Sequence, residues 1–163
     1  TIIDRLTERG VVCVPEAATR IILLRKKLNI PDSLEEKTEK QTLIWYASLL
    51  REDFVQQVYG SRNCSVVFDR GLPDGIAYSK HLTGSVPQFM DEKTARNRYD
   101  LVFFLERLPF DDGGFRVEKN DDEAERVHQL IRNTWLFLGY NLIDLPKLTI
   151  DERVERILDA AKF

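Results

Sequence analysis

Several functional classes are set aside by what this chain has little of. Two cysteines, Cys13 and Cys64, occur in 163 residues. Both fall in segments that read as buried strands, so core packing is expected rather than a disulfide or a metal site, and a reducing cytoplasm suits them. The two histidines, His81 and His128, stand apart from any cysteines, histidines or carboxylates at zinc spacing. No apolar run approaches the ~20 residues of a bilayer span, and the first residues lack the basic-then-apolar layout of a signal peptide. Lys and Arg number 24 against 27 Asp and Glu, a net charge of -3. That balance offers no global attraction to nucleic acid or an anionic membrane, so any phosphate binding depends on local arginines. Internal repeats, low-complexity tracts and linkers are also missing, and the length favours one domain over residues 1–163.

What is present is an alternation of short apolar runs and helical patterns. Residues 11–15 form one run, and residues 64–69 a second. Residues 100–106 form a third and residues 141–146 a fourth. Continuous apolar runs of this length read as strands covered on both faces, as parallel sheets require. Helices are expected over 2–9, 17–28, 76–82, 88–98, 121–139 and 149–163. A long one is expected from Leu34 towards Val58, with Ser33 and Glu36 in capping-box spacing. Its apolar stripe reads as Leu43, Ile44, Ala47, Leu50, Phe54 and Val58. Trp45 and Trp135 fit helical packing stripes better than base stacking. Residues 108–118, rich in Pro, Gly and Asp, form a loop, and the spacing of Asp111, Asp112, Asp121 and Asp122 does not fit a calcium-binding EF-hand. Strands alternating with helices make a parallel sheet with crossover connections.

Three of the strand candidates end on a carboxylate: Glu16 after the first, Asp69 after the second, Glu106 after the third. The carboxyl ends of parallel strands line the crevice where open α/β sheets bind ligands. Asp69 either holds a metal or caps the turn that follows. Arg70 either offers its planar fork to a phosphate or makes a structural ion pair with Glu16 or Asp74. Arg20, one helical turn beyond Glu16, either faces the same crevice or pairs with Glu16.

The series Thr1-Ile2-Ile3-Asp4-Arg5-Leu6 with Gly10, Val14-Pro15-Glu16-Ala17-Ala18, Phe68-Asp69-Arg70-Gly71-Leu72-Pro73-Asp74-Gly75, Tyr99-Asp100, Asp112-Gly113-Gly114-Phe115-Arg116 and Leu138-Gly139-Tyr140 runs nearly the whole chain. In order and spacing it resembles the P-loop kinase superfamily, specifically AAA-type ATP-binding proteins related to the nicotinamide riboside kinase domain and, more distantly, thymidylate kinase. The resemblance implies a three-layer α/β/α fold around a parallel sheet. It also implies a first strand and a Gly-x-x-x-x-Gly-Lys-[Ser/Thr] phosphate loop immediately before Thr1, the strand lying between those that end at Asp69 and Glu106. An open slot with unpaired backbone groups is then expected at that place.

The same resemblance implies ATP or GTP as ligand, Mg²⁺ held by Asp69 through water, and a small nucleoside-like or other hydroxyl-bearing acceptor. Glu16 is the implied general base or substrate-orienting group, and Arg116 the cation of a mobile lid over residues 107–120 that closes on the transferring phosphoryl group. Arg70, Arg20 and Asp74 are the implied substrate contacts, and Thr1, Arg107, Pro146 and Lys147 the nucleotide contacts. The implied activity is phosphoryl transfer by a cytoplasmic kinase. The alternative is a nucleotide-binding regulatory module with little turnover, coupling nucleotide occupancy to a protein or lipid partner.

Overall fold

The computed structural model describes residues 1–62, 64–108, 118 and 120–162. Among these residues α1 (Ile2–Glu8) leads into β1 (Val12–Val14), and α2 (Ala18–Lys27) and α3 (Leu34–Tyr59) precede β2 (Val66–Phe68). Next come α4 (Leu72–Thr83), α5 (Glu92–Ala95), β3 (Val102–Leu105), α6 (Asp121–Phe137), β4 (Leu142–Leu145) and α7 (Ile150–Ala161). Each expected strand is present and each pairing is parallel: Cys13 lies opposite Val67, and Phe103 opposite Ile143.

The strands form two separate pairs, β1 with β2 and β3 with β4. Residues of β2 and β3, but not of β1 or β4, line one cleft of about 1260 Å³, which therefore runs between the two pairs. This opening explains a departure from the expected two-faced burial. All three residues of β2 are only half-buried, Leu105 is exposed at the end of β3, and Cys64, expected in the core, is exposed just before β2.

Three apolar clusters hold the elements together. Leu6 of α1 meets Leu145 of β4 and Val154 and Ile157 of α7. Val102 and Phe104 of β3 pack on Val127, Ile131 and Trp135 of α6. Trp45 of α3 packs with Leu72, Met90, Ala95 and Leu138. Both tryptophans are thus core residues.

The long helix departs from its expected orientation. It turns Gln41, Trp45 and Glu52 inward, whereas Leu43, Leu50 and Phe54 of the expected apolar stripe lie in the open. The physical reason is that its inner face borders the cleft along much of its length and places Gln41, Ser48 and Glu52 there, so apolar periodicity does not mark the packed side. Two other boundaries move. The helix expected from residue 76 starts at Leu72, because Pro73 suits a first turn and the Asp74 carboxylate accepts from the Gly71 N–H at 3.2 Å. The helix expected over 88–98 contracts to one turn, Glu92–Ala95, closed by Asn97 in a left-handed conformation.

Candidate functional site

The turn after β2 builds the centre of the site. The Asp69 N–H donates to the Val14 carbonyl at 2.9 Å, which extends the strand pair to the carboxylate itself. Arg70 then takes a left-handed backbone at φ 74°, a conformation that costs a residue with a Cβ about 1–2 kcal/mol. Gly71 follows in extended backbone. Its lack of a side chain is a packing requirement, since a Cβ there would lie 2.8 Å from both the Trp135 ring and the Tyr99 hydroxyl. Leu72 opens α4.

Two buried polar networks fix this turn. Asp74 Oδ2 accepts from the Gly71 N–H at 3.2 Å and from the Trp135 indole Nε1 at 3.1 Å, while Oδ1 accepts from the Arg70 guanidinium at 3.2 Å. The Tyr99 hydroxyl accepts from the Leu72 N–H at 2.8 Å and donates to Glu52 Oε1 at 2.7 Å. Glu52 Oε2 accepts from Arg98 Nε at 2.8 Å, and Arg98 also pairs with Asp53. Burial raises the Glu52 carboxyl above its ordinary value, against the hydrogen bonds from Tyr99 and Arg98. Burial likewise raises the Tyr99 phenol, and the Glu52 charge adds to it.

Above this base lie Glu16, Asp69 and Arg70, all lining the cleft. Burial raises the Glu16 carboxyl; Arg70 opposes the shift, Asp69 and Asp74 add to it, and the Thr19 hydroxyl 3.4 Å away opposes it slightly. Asp69 keeps solvent contact at the strand end, yet the protein around it displaces enough water to raise its carboxyl, again with Arg70 opposing and Asp74 adding. Arg70 is held more firmly protonated than usual, because Asp74, Tyr78 and Glu16 outweigh the desolvation that disfavours its charge. Its guanidinium carbon sits 5.9 Å from the centre of the Tyr78 ring, and the Tyr78 hydroxyl donates to Glu118 Oε1 at 3.0 Å.

The structure brings Glu16, Asp69, Arg70 and Asp74 together. The described contacts of Asp74 are the Gly71 N–H, the Arg70 guanidinium and the Trp135 indole, so its Arg70 partnership is the structural ion pair anticipated as one reading. Arg20 lies exposed and is not paired with Glu16, and among the described residues its side chain has no polar partner. Thr1 caps α1 in a capping box with Asp4. Arg107 lines the cleft while pairing with Asp121 at 2.8 Å and Glu125 at 3.2 Å on α6. Pro146 and Lys147 follow β4, where the Lys147 N–H donates to Glu106 Oε2 at 3.2 Å. Arg116, with residues 109–117 of the expected lid, lies outside the described residues.

Sequence reasoning missed the contributions of Gln41, Ser48 and Glu52, which line the cleft from α3. Their spacing carries a signal: together with Trp45 they recur on one helical face, polar where a packed face is ordinarily apolar. It also missed Tyr99 and Trp135 as the donors and acceptors that hold the turn after Asp69.

Among the described residues no group of three His, Cys, Asp or Glu side chains is placed to hold a metal. Mg²⁺ in nucleotide sites does not require such a cage, because one or two carboxylates suffice when phosphates and water complete its shell. Asp69, exposed at the strand end and facing the cleft, fits that pattern. No described helix is long and apolar enough to cross a membrane.

The family model of an AAA domain matches residues 1–153. The chain belongs to that family, a P-loop NTPase-like class of nucleotide-binding domains. No curated protein and no solved structure matches the chain.

Proposed function

We propose that this domain is a phosphotransferase that moves the γ-phosphate of ATP or GTP to a small nucleoside-like or other hydroxyl-bearing metabolite. The observation that carries the reading is the cleft between the two parallel strand pairs, with the Glu16 and Asp69 carboxylates and the Arg70 guanidinium gathered at its strand-end side. A further parallel strand, continued by a phosphate-binding loop into α1, fills the cleft and completes a three-layer α/β/α domain. Its support is that β2 and β3 each pair on one side and border the cleft on the other.

In this mechanism Asp69 would hold Mg²⁺ through water, and the ion would neutralise charge on the nucleotide's phosphates. Thr1, Arg107, Pro146 and Lys147 contact the nucleotide. Arg70 and Arg20 orient the acceptor, with Asp74 fixing the Arg70 fork, and Glu16 hydrogen-bonds the acceptor hydroxyl. As the acceptor oxygen bonds to the γ-phosphorus and the bond to the β–γ bridging oxygen breaks, the hydroxyl proton passes to Glu16. Burial raises the Glu16 carboxyl, which makes its carboxylate a better proton acceptor than an exposed one. Arg116 delivers positive charge to the phosphoryl group when the lid at residues 107–120 closes. A cytoplasmic enzyme is the setting that suits this chemistry.

The test is transfer of labelled γ-phosphate by the full-length protein to a panel of nucleosides and small polyols, with Mg²⁺. A phosphorylated product that disappears on Glu16→Gln or Asp69→Asn supports the reading. Saturable nucleotide binding with no product and no hydrolysis across the panel replaces it with a regulatory module that couples occupancy to a protein or lipid partner.

A further inference from the structure

The outer face of α3 is apolar and open. Leu43, Tyr46, Leu50 and Phe54 stand along it, and the Phe89 ring, from the segment joining α4 to α5, stacks on Tyr46 with ring centres 5.4 Å apart. Each of the five is between 40 % and 68 % exposed.

Steps of three and four residues keep the four helical members on one face, and the same steps reach Glu39 at one end and Gln57 at the other. Gln41, Trp45, Ser48 and Glu52 follow such steps on the opposite face, which borders the cleft. Whatever meets the outer face therefore leaves the cleft open. The stripe leaves on the order of 500 Å² of apolar surface in water, towards the top of the range for the largest patch on a monomer. Two copies meeting through it bury about 1,000 Å² in all, the area at which a contact qualifies as a specific interface.

The chemistry of the stripe limits its occupant. An anionic bilayer calls for Lys or Arg beside the apolar residues, whereas this stripe holds neither and runs out onto Glu39 and Glu35, in a chain of net charge -3. A second copy of the same helix fits. When α3 runs antiparallel to its counterpart, Tyr46 falls opposite Leu50, Leu43 opposite Phe54, and Glu39 opposite Gln57, whose amide is a donor for the carboxylate. Parallel alignment sets Glu35 and Glu39 against their own copies instead, and like charges face to face suppress that arrangement. The antiparallel contact is two-fold, with one patch serving both protomers, the commonest form of oligomer.

We infer that the protein forms a two-fold dimer through the outer faces of α3, with the stripe from Leu43 to Phe54 packed antiparallel on its counterpart and Phe89 at its edge. Such a contact needs no ligand, so it stands or falls apart from the phosphotransferase reading.

The test is analytical ultracentrifugation of the full-length protein from low to high micromolar concentration. A monomer–dimer equilibrium is expected in the parent. Leu50→Glu and Phe54→Glu each place two carboxylates, one from each protomer, in the apolar contact and should weaken association at least about 100-fold. Melting of either variant in dilute solution should match the parent, because both side chains lie in the open. Phe137→Glu, as exposed as Phe54 but on α6, should leave the dimer intact. With Cys13 and Cys64 replaced by Ala, a mixture of Leu43→Cys and Phe54→Cys chains should oxidise mainly to the mixed disulfide. Cross-linking of Leu43→Cys chains to one another instead overturns the antiparallel pairing. A parent that stays monomeric throughout overturns the dimer, as does a dimer indifferent to both Glu substitutions. A monomeric parent whose melting temperature drops on Leu50→Glu also overturns it, by showing that another part of the same chain covers the stripe.

Discussion

The indole Nε1 of Trp135 donates to the Asp74 carboxylate at 3.1 Å, across 61 residues of sequence. One bond thus links α6 to the first turn of α4, and through Asp74 to the Arg70 guanidinium and the Gly71 backbone. The turn that carries Asp69 and Arg70 is therefore held by helices outside its own strand pair, and stability and function share the same atoms there.

The first expected outcome concerns Gly71. Gly71→Ala would drive a methyl group into the Trp135 ring and the Tyr99 hydroxyl, and overpacking of this kind costs about 1–3 kcal/mol. Urea unfolding followed by tryptophan fluorescence measures it. A midpoint unchanged from the parent protein would show that the two rings give way freely.

Tyr99→Phe keeps the ring but removes the hydroxyl that serves both the Leu72 N–H and Glu52. Leaving both groups unpaired costs about 1–3 kcal/mol. The same unfolding experiment should also show Glu52→Gln to be milder, because an amide oxygen still accepts from Tyr99 or Arg98.

Arg70 separates backbone strain from side-chain chemistry. Arg70→Gly and Arg70→Ala both delete the guanidinium, but only glycine adopts the φ of 74° without a Cβ penalty. The glycine variant should be more stable than the alanine variant by about 1–2 kcal/mol, and both should lose phosphoryl transfer. Thermal melting and turnover, measured side by side, check the two halves.

The pH dependence follows from the raised carboxyls of Glu16, Glu52 and Asp69. Such a group binds its proton more readily folded than unfolded, so its charged form opposes folding. Its contribution favours folding below the ordinary carboxyl range, declines as pH climbs past the unfolded value, and levels off above the folded one. For Asp69 the decline begins near the ordinary value of 3.8. Asp69→Asn should therefore melt higher than the parent at pH 7, with the difference shrinking on acidification, while Mg²⁺-dependent activity is lost. Melting curves across pH 4 to pH 8 test the sign.

How far these relationships are legible in the sequence differs between strands and helices. The strands are short apolar runs ending at Glu16, Asp69 and Glu106, and a period of two or none at all, bounded by turn residues, marks them well. The long helix is not, since its apolar residues Leu43, Leu50 and Phe54 face outward and its packed side includes Gln41 and Glu52. Periodicity finds a core only when the buried face is apolar. Asp69 and Arg70 are legible because opposite charges end a short apolar run. Tyr99 and Trp135 are not, because the contacts that give them meaning span 27 and 61 residues and arise only once α3, α4 and α6 have packed.

The central claim is that the strand-end side of the cleft, where Asp69 stands, binds a nucleoside triphosphate with Mg²⁺. Calorimetric titration of ATP and GTP into the full-length protein, with Mg²⁺ and with EDTA, tests it most directly when repeated on Asp69→Asn. The account predicts saturable binding that Mg²⁺ strengthens in the parent protein and no longer strengthens in the variant. Absence of binding by a folded parent protein, or an equal Mg²⁺ effect in both proteins, would contradict it.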